Sequence, residues 1–234
     1  MDNKVNRRNF IKTSLLTGAA VMCYHPGKAI NSLLDPVSSS SRVGITSGND
    51  RADIAFRALK PFSKEIKRAI GNKRVVIKPN VVLIYAPLAC THVETLEGVL
   101  EFLKSINKLD NVVIAESSAS GSTLEGFHNY GYFRLGRKYP VKMVDLDKEP
   151  CDLMYVIDEK ELKPTAIRVS RLISEPDSYV ISAAKMKTHS NVIATLSLKN
   201  IVFGAPIKDP GFTLFREDLL FSSKAEVSEP FTES

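Results

Sequence analysis

Short β-forming apolar runs alternate with amphipathic stretches from Val43 onward, and few folds satisfy that pattern. The runs Arg74-Val75-Val76-Ile77-Lys78, Val112-Val113-Ile114-Ala115, Val141-Lys142-Met143-Val144 and Tyr179-Val180-Ile181-Ser182-Ala183 are nearly continuous in apolar residues. Strands covered on both faces read this way, because a parallel sheet is closed in by its crossover segments. The expected fold class is therefore α/β, a mostly parallel sheet with helices on both faces, with an incomplete C-terminus as an open alternative. Residues 51–70 read as a helical stretch interrupted at Pro61 and stopped at Gly71. Thr91-His92-Val93-Glu94 fits a capping box, and Leu96, Val99, Leu100 and Leu103 follow on one helical face. Residues 153–157 and 166–170 suggest a hairpin around 158–165, and a helix is expected over 192–202 before Gly204.

Ligands of parallel α/β sheets sit beyond the carboxyl ends of the strands, where loops and helix N-termini converge. Those ends carry Lys78 and Asn80; Glu116, Ser117 and Ser118; Asp145 and Asp147; and Lys185, Lys187, Thr188 and His189. Lys78, Lys185 and Lys187 are placed to hold a phosphate or carboxylate, or are solvated loop lysines. His92 and His189 each follow a threonine near an expected helix start. They are candidate proton carriers or, with Glu116 or Asp145, candidate ligands of a divalent metal. No ligand spacing in the sequence supports the metal, and whether a metal is bound stays unknown. His128 is assigned a surface or packing role. The serine run after Glu116 lacks the patterns of a P-loop, a dinucleotide fold and a nucleophile elbow.

Taken in order, several of these segments resemble the DUF362 family, named for a domain of unknown function. They are Val76-Ile77-Lys78-Pro79-Asn80, Thr91-His92-Val93-Glu94-Thr95-Leu96-Glu97, Val113-Ile114-Ala115-Glu116-Ser117-Ser118, Phe127 with Gly131-Tyr132, and Val144-Asp145-Leu146-Asp147. The most specific are Lys185-Met186-Lys187-Thr188-His189-Ser190 and Thr195-Leu196-Ser197-Leu198-Lys199-Asn200, and the resemblance spans about residues 73–208. It extends the candidate ligand-binding set to Lys199 and Asn200, with His189, His92 and Glu116 as the candidate catalytic residues. Two departures stand out. Val93 occupies a position where many relatives have proline. The chain also ends within thirty residues of Lys199-Asn200-Ile201-Val202-Phe203-Gly204, where relatives continue through another α/β section, so a truncated or short variant is expected.

The first thirty residues have a different character. Asn6-Arg7-Arg8-Asn9-Phe10-Ile11-Lys12, followed by a short mildly apolar stretch, is similar to the twin-arginine (Tat) export signal, with Arg7, Arg8, Phe10 and Lys12 as its targeting residues. The stretch is shorter than the about 20 apolar residues of a membrane span. Gly27-Lys28-Ala29 offers a cleavage site after Ala29, whereas Met22 before Cys23 makes a poor lipid-attachment site. The expected domain plan is a signal peptide over 1–29, a flexible linker over 30–42, the α/β domain over 43–221 and a disordered tail over 222–234. The implied location is the periplasm or the extracytoplasmic face of the membrane, with the Tat translocase as a partner.

Charge and cysteine content narrow the function. The signal holds Lys4, Arg7, Arg8, Lys12 and Lys28 against Asp2. Taking these from the 32 basic and 26 acidic residues of the chain leaves 27 against 25, so the net charge falls from +6 to +2. No basic cluster with interleaved aromatics remains, which excludes a nucleic acid partner. Beyond the signal only Cys90 and Cys151 are left, too few for an iron–sulfur cluster in this chain. They form one disulfide or stay as two thiols. The cofactor is therefore unknown. Three functions stand at this point: an exported enzyme or binding domain for an anionic small molecule, a non-catalytic scaffold beside a co-exported redox subunit that carries the cluster, or an inactive truncated fragment.

Overall fold

The computed structural model describes residues 42–158, 162–189 and 193–208. Residues 1–41 and 209–234, with the expected signal peptide, most of the expected linker and the expected tail, lie outside the described residues, and so do Arg7, Arg8, Phe10 and Lys12.

Helix α1 (Arg51–Leu59) starts on Asp50, whose carboxylate accepts from the Asp53 amide at 2.9 Å. A 3-10 turn, Lys60–Phe62, carries Pro61 and leads into α2 (Ser63–Ile70), which Gly71 ends at φ 50°. Proline supplies no amide to an α-helical ladder, so the interruption falls where the sequence places it. Strand β1 (Arg74–Lys78) follows, then α3 (Val93–Ser105) and β2 (Val112–Glu116). Next come α4 (Thr123–Asn129), α5 (Phe133–Lys138) and β3 (Val141–Asp145). Strands β4 (Cys151–Ile157) and β5 (Pro164–Ser170) form the antiparallel hairpin expected there. A single turn, α6 (Arg171–Ser174), precedes β6 (Ser178–Ser182).

Strands β3, β2, β1 and β6 lie side by side in that order, all parallel, and helices flank them, so the chain is α/β. The pleat sends Val75, Ile77, Val112 and Ile114 into the larger core with Leu96, Leu100, Phe102, Leu103, Phe127 and Tyr132. Val76, Val113 and Ala115 point to the other face and meet Leu146, Leu172 and Ile207. Gly98 fits because α1 crosses α3 closely there: a Cβ at that position would lie 2.2 Å from the Ala52 carbonyl oxygen.

Two expectations are corrected. The capping box does not form. His92 is the N-cap of α3, its Nδ1 accepting from the Glu94 amide at 3.3 Å, while Thr91 turns inward. The stretch 192–202 is not one helix. Strand β7 (Lys187–His189) pairs antiparallel with β8 (Ile193–Thr195), and only Ser197–Val202 (α7) is helical. β-Branched Ile193 and Thr195 suit a strand when a partner lies opposite, and local propensity gives way to that pairing. Cys90 and Cys151 are both free thiols.

Candidate functional site

Parallel register brings the ends of neighbouring strands to one edge. Lys78 lies beside Ser182, and Glu116 beside Asp145. Lys78 and Glu116 are each the last residue of their strand, and they are 0% and 1% exposed. The Lys78 ammonium donates to Glu116 Oε1. It also reaches the Pro79 carbonyl at 3.3 Å and Asn200 Oδ1 at 3.4 Å. Glu116 accepts the Val81 amide on Oε2 and the Ser117 amide on Oε1, both at 2.9 Å. Burial pushes the Glu116 carboxyl above its ordinary range, and the Lys78 charge and these two amides oppose that shift. A buried ion pair of this kind persists only when further hydrogen bonds complete it, as they do here.

Asn200, at 2% exposure, ties the late part of the chain to this pair. Its amide nitrogen donates to the carbonyls of Lys78 (3.2 Å) and Pro79 (3.1 Å) and to Ser182 Oγ (3.1 Å). Its Oδ1 accepts from Asn80 Nδ2 at 3.2 Å. That contact fixes the Asn80 amide with its Oδ1 turned away, buried and without a donor among the described residues. Thr91 Oγ1 accepts the Asn80 amide at 2.9 Å and donates to the Ala183 carbonyl at 2.6 Å, so it links β1 to the end of β6. Gly204 closes the wall: a Cβ there would lie 3.0 Å from Lys78 Nζ and 2.4 Å from the Asn200 carbonyl oxygen.

A cationic group borders this network. Lys187 is half-buried, and its Nζ donates to the Ala89 carbonyl at 2.5 Å. Burial holds its pKa below the ordinary lysine value, and the charges of Lys199 and Lys185 push it the same way, while Cys90 and Glu116 oppose. Lys185 and Lys199 thus act on Lys187 as like charges, an effect that a nearby anion would offset.

The other sequence candidates divide. Ser117 Oγ donates to Asp147 Oδ1 at 2.6 Å, and Asp147 also accepts the Lys208 amide at 2.7 Å. Ser118 is a loop strut: its amide donates to Thr123 Oγ1 at 3.0 Å and its hydroxyl to the Ser120 carbonyl at 2.7 Å. Asp145 accepts the Asp147 amide at 3.2 Å, so it caps the 3-10 turn Leu146–Lys148. Thr188 is exposed. His92 is spent on its helix cap with a side chain 43% exposed, and it makes no bond into the buried network. His189 ends β7, and its ring lies outside the described part of the structure. Ser182 and Gly204 belong to the arrangement and were not read as strand-end candidates. Asp147, named with Asp145 at the strand ends, lies in the 3-10 turn just past β3 and joins the arrangement through Ser117. Among the described residues no group of three or more His, Cys, Asp or Glu side chains could hold a metal ion.

A shallow depression of about 610 Å³ lies at the opposite edge, lined by residues including Arg74, Asn111, Glu175 and Asp177. Those residues lie at strand N-termini, away from the end at which parallel α/β sheets bind their ligands.

Fold and site define an α/β protein with a parallel sheet whose strand ends converge on a buried Lys–Glu–Asn network. The model of the family described as "Domain of unknown function (DUF362)" matches residues 75–212, more than half of the chain, and the chain belongs to that family. No curated protein matches it.

Proposed function

We propose that this DUF362 protein is exported through the twin-arginine pathway and holds a small anionic ligand at the C-terminal ends of its parallel strands. The observation that carries the binding reading is the half-buried Lys187, repelled by Lys185 and Lys199 at the border of the Lys78–Glu116–Asn200 network. An anion there relieves the repulsion, and Lys78, already neutralised by Glu116, acts as the rigid floor of the site. His189, two residues beyond Lys187, is the proton carrier in an enzymatic version of this reading. Orthophosphate, sulfate and small carboxylates are the probes. An anion that binds raises the melting temperature of the wild type, and the shift falls in Lys187→Ala and His189→Ala. Full retention of every shift in both variants removes the site.

Export rests on Arg7 and Arg8 within Asn6-Arg7-Arg8-Asn9-Phe10-Ile11-Lys12. Fusing residues 1–42 to a reporter that is active only outside the cytoplasm gives a signal that Arg7→Lys with Arg8→Lys abolishes. Undiminished export of the double variant counts against the pathway.

A further inference from the structure

The hairpin β4–β5 is a two-stranded sheet, and β4 pairs with no other strand among the described residues. Its sequence, Cys-Asp-Leu-Met-Tyr-Val-Ile, carries one charge. Leu153, Tyr155 and Ile157 on one face are 62%, 65% and 64% exposed, and Met154 and Val156 on the other are also exposed. Soluble proteins usually protect such an edge with lysine, proline, a bulge or a covering element.

The phase of the ladder shows which backbone groups face outward. The Asp158 amide donates to the Lys163 carbonyl and the Arg171 amide to the Pro150 carbonyl, one bond at each end of the hairpin. Antiparallel ladders alternate, so Asp152, Met154 and Val156 direct their N–H and C=O groups at β5. Cys151, Leu153, Tyr155 and Ile157 direct theirs away from it. Among the described residues the outer edge of β4 is a row of open donors and acceptors flanked by apolar side chains.

We infer that β4 pairs antiparallel with β4 of a second copy of this chain about a two-fold axis at Met154, making a continuous sheet across the dimer. A two-fold axis requires an isologous contact, and an antiparallel edge pairing supplies one. The outward phase allows only registers that set odd residues opposite odd ones. Centring on Met154 places Leu153 opposite Tyr155 and Cys151 opposite Ile157, so all four outward residues of each copy are paired. Centring on Tyr155 would put Asp152 opposite Asp158, a like-charge contact that destabilises a sheet. Centring further along in either direction runs the pairing past the end of the strand. In the Met154 register Asp152 faces Val156, and its carboxylate is already held within its own copy by Arg171 at 2.9 Å and Ser174 at 3.3 Å. Edge-to-edge pairing covers the rim of one seven-residue strand per copy, short of the about 800 Å² per partner of a standard interface, so the dimer is concentration-dependent.

Sedimentation velocity of the full chain from about 1 to about 100 μM, a span suited to a weak interface, is expected to move from one copy to two. Tyr155→Pro removes one outward N–H that the hairpin itself does not use, and Tyr155→Lys charges the same edge. Each is expected to weaken association at least about tenfold, with the far-ultraviolet circular dichroism spectrum unchanged. In a Cys151→Ser background, Met154→Cys sits at a non-hydrogen-bonded pair with Cα atoms about 4.5 Å apart and is expected to oxidise to a covalent dimer. Val156→Cys in the same background, opposite Asp152, is expected not to cross-link. A wild type that stays a single copy throughout, a Tyr155→Pro variant that still dimerises, or equal cross-linking of both cysteine variants would overturn the inference.

Discussion

Replacing Lys78 with methionine is expected to destabilise the protein by about 3–5 kcal/mol, the cost of removing one partner from a buried ion pair. Methionine has nearly the length and volume of the lysine stem, so packing changes little and the charge is what is lost. Glu116 would keep the Val81 and Ser117 amides but no counter-charge, at 1% exposure. Its carboxyl, already raised by burial, then rises further. A folded-state pKa above the unfolded value contributes stability that is present at low pH and lost as pH rises through the folded pKa. The deficit of Lys78→Met should therefore be smallest below about pH 4, where the unfolded carboxyl is also protonated, and should grow toward neutrality. Urea unfolding of Lys78→Met, Glu116→Leu and the double variant at both pH values measures this. The double variant is expected to recover most of the loss at neutral pH. Strict additivity of the two single losses would show that the pair is not coupled.

Phe127→Ala is expected to cost about 3–5 kcal/mol as well, through a cavity rather than through charge. Phe127 is fully buried, its ring 5.4 Å from that of Tyr132 and 6.4 Å from that of Phe133. Tyr132 donates its hydroxyl to the Thr91 carbonyl at 2.6 Å, and Thr91 in turn bridges Asn80 and Ala183. Removing the Phe127 ring frees Tyr132 to settle toward the void and loosens the strut under the site. Phe127→Leu, which keeps most of the volume, should cost only about 1–2 kcal/mol. Urea midpoints rank the three proteins, and the anion-induced melting shift should follow the same order. Equal midpoints for wild type and Phe127→Ala would show that the site does not lean on this ring.

The buried Lys78–Glu116 pair and the strut from Phe127 through Tyr132 to Thr91 are the parts of the molecule least legible in the sequence. The strands were plain. Val75, Val76 and Ile77 are apolar in succession because both faces of a parallel sheet are covered, and that pattern survives without knowledge of any partner. The edge on which Lys78, Asn80 and Glu116 gather followed from the parallel order of the strands. Their chemistry did not. Lys78 reads as a strand-end cation for a bound anion or for solvent, yet it is buried against a carboxylate 38 positions away and an asparagine 122 positions away. Such pairings depend on strand order, and single-sequence periodicity carries no record of it. Thr91 illustrates the same limit. Its spacing to Glu94 satisfies a capping box, but two tertiary hydrogen bonds outcompete the local one and His92 takes over the cap. The stretch 192–202 divided for a similar reason, since β8 exists only because β7 lies opposite. The hairpin β4–β5 was legible from two short strand-like runs around the polar segment 158–165, whereas the outward phase of its edge follows from the hydrogen bonds alone.

The most direct test of the binding site is the titration of Lys187 itself, followed by NMR of side-chain-labelled lysine with Lys187→Ala for assignment. Lys187 is expected to lose its proton below the ordinary lysine value, because burial and its two lysine neighbours disfavour the charge. A depressed lysine pKa is a standing cost at neutral pH, relieved as pH rises toward the unfolded value. A bound anion offsets that cost by stabilising the ammonium, so orthophosphate should move the Lys187 pKa back up in proportion to occupancy. A Lys187 that titrates at the ordinary value and does not respond to orthophosphate, sulfate or a small carboxylate would contradict the anion site.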